Sequence, residues 1–259
     1  VAGSGPRGRI KAPDVRAAAA AAQNAAPAKV ATAPVPTLAA ASGPTLQLPA
    51  SVQATRRPAN SFELTTARKL TEAKQVPHFY LSTEIEVSAL QDMRASLNRL
   101  ESGPKVSVTH LLVAALARTL ADLPEANRVW DNGEVVEFST VDVGMAISTD
   151  RGLMAPVLRD VAGLRVFDIA SRSRDLVERT RSGRLTAEDM GGGATSISNA
   201  GMHDVSHMTS IITPGQSSIF GIGSAREVFR PDEKGQPALR REMGVVMSCD
   251  HRVLDGVGG

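Results

Sequence analysis

The chain has 259 residues, enough for one large domain with further segments, and 42% hydrophobic residues, a normal share for a globular core. Aromatics are only 3%, so that core must rest on Val, Leu, Ile, Met and Ala, and the single cysteine, Cys249, excludes an intramolecular disulfide and suits a reducing compartment. A formal net charge of +2 is too small to argue for nucleic acid or a membrane surface, and no run of about 18 apolar residues could span a bilayer.

Residues 1–16 read as a basic loop, with Gly3, Gly5 and Gly8 marking tight turns. Pro13 sits near the start of a helix that residues 17–22 continue for a turn or two. Residues 17–55 are rich in Ala, Pro, Thr and Ser and lack Phe, Tyr, Trp and Ile. Such a stretch buries too little apolar surface to offset the entropy of ordering, and it predicts a semi-extended linker reaching on the order of 100 Å. The folded domain is expected to begin near Arg56.

Leu64, Ala67, Leu70 and Ala73 predict a helix over 62–75, stopped by Pro77. A strand follows to Val87. Ser88 is expected to cap a helix over 89–100, and Ser107 one from 108 to about 122. Asn132-Gly133 reads as a hairpin turn after Trp130. Two strands are expected over 141–148 and 153–158, joined by Asp150-Arg151-Gly152. A helix over 166–181, closed by Gly183, precedes a short capped turn at 186–189. Residues 217–223 and 243–249 read as buried strands on either side of a polar hairpin tip at 227–238.

Two stretches carry chemistry. The strand over 243–249 delivers His251 at a rigid end, with Asp255 four residues on and Gly256 as a turn signal. Imidazole titrates near neutrality, so His251 can take a proton from a thiol or hydroxyl and hand it on. The second stretch, residues 191–202, is glycine-rich but lacks both the Lys-Ser/Thr ending of a phosphate loop and the dinucleotide spacing. Ser196 and Ser198 there fall on one face of a strand. His203 and His207 lie four apart in a loop without a carboxylate at helical spacing, so no metal is expected. Cys249 reads as a buried small hydrophobe. A serine hydrolase is disfavoured because no Gly-x-Ser-x-Gly elbow surrounds Ser198.

The string His251-Arg252-Val253-Leu254-Asp255-Gly256, after Ser248-Cys249-Asp250, closely resembles the His-Arg-x-x-Asp-Gly signature of the dihydrolipoyl acyltransferases. These form the cores of the 2-oxo-acid dehydrogenase complexes. The strings Pro77-His78-Phe79-Tyr80-Leu81 and Ser196-Ile197-Ser198-Asn199 and the stretches 141–148 and 152–160 follow the same pattern, so the resemblance covers about 56–259. Residues 3–10 are similar to the second half of that family's peripheral-subunit-binding domain, with Arg7, Arg9 and Lys11 matching its charged loop.

The resemblance implies an α/β, chloramphenicol-acetyltransferase-like fold, a mixed sheet flanked by helices. It implies homotrimers that build cubic or dodecahedral cores. It divides the chain into a binding-domain remnant (1–16), a flexible linker (17–55) and an acyltransferase domain (56–259). It implies acetyl transfer between dihydrolipoamide and coenzyme A in a pyruvate dehydrogenase complex, without metal. Coenzyme A would be a substrate, and the lipoyl group would ride on an upstream domain. His251 would be the general base and Ser198 would stabilise the oxyanion. Asp255 would orient or balance the imidazole, or pair with Arg68 or Arg252 and hold the loop. The site would lie between subunits, with His251 and Ser198 from different chains. The N-terminal piece would dock decarboxylase and dihydrolipoamide dehydrogenase subunits. A bacterial cytoplasm or a mitochondrial matrix is the expected location, and both chain ends read as cut. Thr109-His110 and Ala194 depart from the family pattern. A non-catalytic core subunit of the same fold is the competing reading, against which the retained His251 argues. Branched-chain or succinyl transfer is the alternative to acetyl. His78 is expected to be structural or near the site entrance.

Overall fold

A computed structural model of the chain describes residues 5, 6, 11–14, 16, 46–100 and 103–259. It divides into two compact units, Val1–Arg57 and Pro58–Gly259. In the first, residues 12–14 and 16 are helical, and the Lys11 N–H donates to Asp14 Oδ2 at 2.8 Å. Residues 17–45 of the expected 17–55 linker, and most of the basic loop before it, lie outside the described residues. Residues 46–57 form neither helix nor strand, and Arg56 Nη2 donates to the Leu46 carbonyl at 2.7 Å.

The second unit opens with α1 (Ser61–Ala73). Its start is set by Asn60, which accepts from the Glu63 N–H while the Glu63 carboxylate accepts from the Asn60 N–H. This reciprocal cap satisfies two otherwise orphaned donors. The apolar stripe that predicts the helix is largely open: Leu64 and Leu70 are 60% and 42% exposed. β1 (His78–Glu86) follows, then α2 (Ser88–Arg99) and α3 (Val108–Asp122). Ser88 does not cap α2. Its hydroxyl instead accepts from the Arg241 N–H at 3.2 Å. Ser107 does cap α3, and His110 Nδ1 accepts from the Ser107 N–H at 3.1 Å, taking the part usually played by Glu or Gln.

β2 (Arg128–Asp131) and β3 (Glu134–Glu137) form a hairpin whose turn, Asn132 at φ 46° and Gly133 at φ 101°, is the two-residue kind expected of Asn-Gly. The two strands expected over 141–158 are four: β4 (Val143–Met145), β5 (Ile147–Thr149), β6 (Gly152–Met154) and β7 (Val157–Leu158). The break has a local cause. Pro156, opposite Met145, has no N–H to continue the ladder on that side, while on the other the Ala146 N–H still donates to Ile197 of the neighbouring strand at 2.9 Å. Thus β5 and β6 pair only with each other. α4 (Val166–Arg181) spans its expected range, and β8 (Thr195–Asn199) carries the two serines.

β9 (Ser218–Pro231) and β10 (Pro237–Asp250) run through the region expected to be a polar tip. Their charges pair across the ribbon: Arg230 with Glu242 at 2.6 Å and Arg241 with Glu227 at 3.3 Å. The turn itself is only 232–236, where Asp232 Oδ1 accepts from the Lys234 and Gln236 N–H groups. The polarity marks a solvated ladder, not a loop.

The main sheet has the order β1-β10-β9-β8-β4-β7. β10 is antiparallel to β1 and β9, and β8 is parallel to β9 and β4, giving the mixed sheet expected. One face packs Ile197, Ile222 and Val245 against Val113, Ile169 and Leu176 of α3 and α4. The other is crossed by residues 203–216 at backbone contact. A Cβ on Gly221 would lie 1.9 Å from the Met208 carbonyl oxygen, and one on Gly223 1.9 Å from that of Ser206. Gln216 anchors this segment by meeting the Ser196 hydroxyl.

Candidate active site

β10 ends at Asp250, and the chain turns at once. The Val253 and Leu254 N–H groups donate to the Asp250 carbonyl at 3.2 and 3.0 Å, and the His251 N–H donates to Pro77 at 2.9 Å. His251 is therefore pinned at the sheet edge by its backbone while its ring stays exposed. The ring leans on Phe79, with centroids 4.6 Å apart and a 48° tilt. It makes no hydrogen bond among the described residues. It opens on a cavity of about 440 Å³ lined also by Glu125, Arg128, Asp255 and Val257.

Asp250 is 1% exposed and takes the Arg252 guanidinium in a fork, Nη2 to Oδ2 at 2.7 Å and Nε to Oδ1 at 2.9 Å. The same guanidinium lies 5.7 Å from the centroid of the Trp130 ring. Arg252 is thus not the partner of Asp255, which removes one of the alternatives for that carboxylate: the buried carboxylate two residues before Arg252 is nearer and needs the charge more. Asp255 Oδ1 instead accepts from the Gly258 and Val257 N–H groups at 2.8 and 3.0 Å. These donors hold its carboxyl below the usual range, with the charges of His251 and Arg128 adding to the effect. Arg68 is exposed on α1, and among the described residues Asp255 has no ion pair.

Ser198 is half-buried on β8, level with Gly221 of β9 and through it with Val246 of β10. His251 lies beyond the end of that strand. At about 3.3 Å per residue along and about 4.8 Å per strand across, the two are about 20 Å apart in one chain. A single chain does not bring them together.

The remaining candidates have structural duties. His78 donates from Nδ1 to the Val76 carbonyl at 2.8 Å and accepts at Nε2 from the Ile212 N–H at 3.2 Å, so both ring nitrogens are occupied. Thr109 accepts from Asn199 Nδ2 at 2.9 Å, tying α3 to β8. His207 reaches Glu84 at 3.4 Å. Among the described residues no three potential metal ligands cluster. Burial pushes the Cys249 thiol up to about 11, which makes it inert at neutral pH. Three residues at the site carry no expectation from sequence: Arg128, Trp130 and Asp250. Only Asp250 had a signal, its place between an apolar strand and the histidine.

Residues 52–259 match the model of the 2-oxoacid dehydrogenases acyltransferase (catalytic domain) family. The dihydrolipoyllysine-residue acetyltransferase component of the mitochondrial pyruvate dehydrogenase complex of Caenorhabditis elegans is 37% identical, over 100% of this chain and 49% of that protein. The chain spans about half the length of the curated relatives it matches. A structure of Azotobacter vinelandii dihydrolipoamide acetyltransferase, from a study of a serine, a histidine and an asparagine in its catalytic mechanism, superposes with a TM-score of 0.75 at 25% identity, covering 80% of this chain and 86% of that one. The cubic core of the pyruvate dehydrogenase multienzyme complex does so with the same TM-score, identity and coverage. The chain belongs to the 2-oxoacid dehydrogenase acyltransferases, and residues 52–259 match their catalytic domain.

Proposed function

We propose that this chain transfers an acetyl group between dihydrolipoamide and coenzyme A in the core of a pyruvate dehydrogenase complex. The observation that carries the reading is His251: a solvent-facing imidazole, pinned through its backbone, free at both ring nitrogens among the described residues and set on a cavity. Both substrates are thiols with pKa values near about 8.5–9, mostly protonated at neutral pH. His251 takes the coenzyme A thiol proton. The thiolate attacks the thioester carbonyl of acetyl-dihydrolipoamide and forms a new C–S bond. The Ser198 hydroxyl donates to the resulting oxyanion. Collapse breaks the old C–S bond, and the imidazolium returns its proton to the departing dihydrolipoamide sulfur.

The separation of Ser198 and His251 within one chain supports a site between two subunits of a homotrimer, several of which would build a larger core. In the Azotobacter protein the histidine and asparagine stand four residues apart, the spacing of His251 and Asp255 here, which supports a supporting role for Asp255 at the histidine turn. The N-terminal segment fits a binding-domain remnant and tether for decarboxylase and dihydrolipoamide dehydrogenase subunits, with lipoyl groups upstream. The location is a bacterial cytoplasm or mitochondrial matrix. No helix among the described residues is long and apolar enough to cross a membrane.

Acetyl transfer from acetyl-CoA to free dihydrolipoamide, compared between wild type and His251→Ala in the assembled protein, tests the reading. A loss of about a thousandfold is expected. Activity that survives the substitution would show that another group is the base, and an inactive wild type would leave a scaffold role.

A further inference from the structure

We propose that the β2–β3 hairpin is a positioning device for His251, with Arg128 and Trp130 bracing the turn that carries it. The proposal deepens the reading of His251 as base and rests on it. Arg128 and Trp130 are two apart on β2, so they share one strand face. That face meets the turn at two points. Arg128 Nη2 donates to the Val253 carbonyl at 3.0 Å, fixing the backbone two residues after the histidine. Trp130 presents its ring to the Arg252 guanidinium, which in turn closes on the buried Asp250 carboxylate. Asp250 and Arg252 flank His251 directly, and a carboxylate this buried is stable only while its cation stays in place. Trp130 also packs against Cys249, Val253 and Leu254, so the hairpin and the turn share one apolar cluster. By contrast the His251 ring makes no hydrogen bond among the described residues, and its one ring-to-ring contact there is with Phe79. Its direction is therefore set through the backbone, and a base displaced by about 1 Å from a thiol can lose on the order of a hundredfold in rate.

The test uses the assembled full chain, with Arg128→Gln, Arg128→Lys and Trp130→Phe. Steady-state acetyl transfer is read alongside amide hydrogen exchange across 250–254. Arg128→Gln is expected to lower kcat about tenfold or more while the KM for each substrate changes less than about twofold. Exchange at 250–254 should quicken. Arg128→Lys should restore part of kcat, and Trp130→Phe, which keeps an aromatic face towards Arg252, should give a smaller fall in the same direction. Unchanged kcat with faster exchange or a lower melting temperature would overturn the proposal in favour of a purely structural hairpin. A raised KM with unchanged kcat would overturn it in favour of a substrate contact at Arg128. In a wild type without transfer activity the base assignment falls, and exchange then reads the contact alone: unchanged exchange in Arg128→Gln removes the brace, and faster exchange shows a purely structural hairpin, which also overturns the proposal.

Discussion

His110 completes the cap of α3 with a ring nitrogen, which makes the start of that helix acid-sensitive. Burial, and secondarily the nearby Arg174 charge, lower its pKa below the ordinary value. The unfolded chain therefore takes the proton first. Its stabilising share is complete above about pH 6.5 and is lost as pH falls through the lowered folded value. Protonation also turns Nδ1 from an acceptor into a donor facing the Ser107 N–H. Thermal melts should show stability falling between pH 7 and 5, and His110→Gln, a capping residue that does not titrate, should remove that component. Asp189 works at a lower range. Arg179, with the Thr186 N–H, holds its carboxyl down to about 2. The stability it supplies is present above about pH 4 and lost as pH falls towards 2, so Asp189→Asn should flatten acid unfolding followed by circular dichroism across that window. At Ser198 the expectation is kinetic. Ser198→Ala should cut kcat by about a hundred- to a thousandfold with KM nearly unchanged, because in the proposed mechanism its hydroxyl acts only in the transition state.

At the scale of elements, three glycines decide how residues 203–216 lie on the sheet. Gly221→Ala would drive a methyl into the Met208 carbonyl, which is backbone and cannot swing away. A destabilisation of about 1–3 kcal/mol, or more, is expected in denaturant titrations. Helices with an apolar face were the most legible elements. α4 matches its expected range because Ile169, Ala170, Ser173 and Leu176 recur on one buried face. The Asn132-Gly133 turn was equally plain, since it needs two positive φ angles. The β9–β10 ribbon was not, because the partners of Arg230 and Arg241 lie 12 and 14 residues away and local polarity resembles a loop. The same distance effect divides the site. His251, Ser198 and Asp255 stand in recognisable strings, whereas Arg128 meets the histidine turn across 125 residues and nothing local marks it.

At the scale of the molecule, the separation of about 20 Å between Ser198 and His251 has an assembly consequence. Assemblies of Ser198→Ala chains alone, or of His251→Ala chains alone, should be nearly inactive. Refolded together in equal amounts, they should recover about a quarter of wild-type activity, since in the proposed intersubunit site each interface would draw its serine and its histidine independently from two chains. No recovery would mean that the two residues serve the same chain.

The glycine floor beneath residues 203–208 also inverts an ordinary expectation about where change is tolerated. Loops usually vary while the strands beneath them are held by packing. Here the overlying segment touches the sheet through its own carbonyls, while Met202 and His203 at its start point their side chains to solvent. A saturation scan should therefore find substitution at 202 and 203 widely permitted and substitution at Gly221, Gly223 and Gly244 almost uniformly rejected. The path of the crossing segment is written in the strands it crosses, and inserting a single methyl group below it should be felt more than exchanging an entire side chain above.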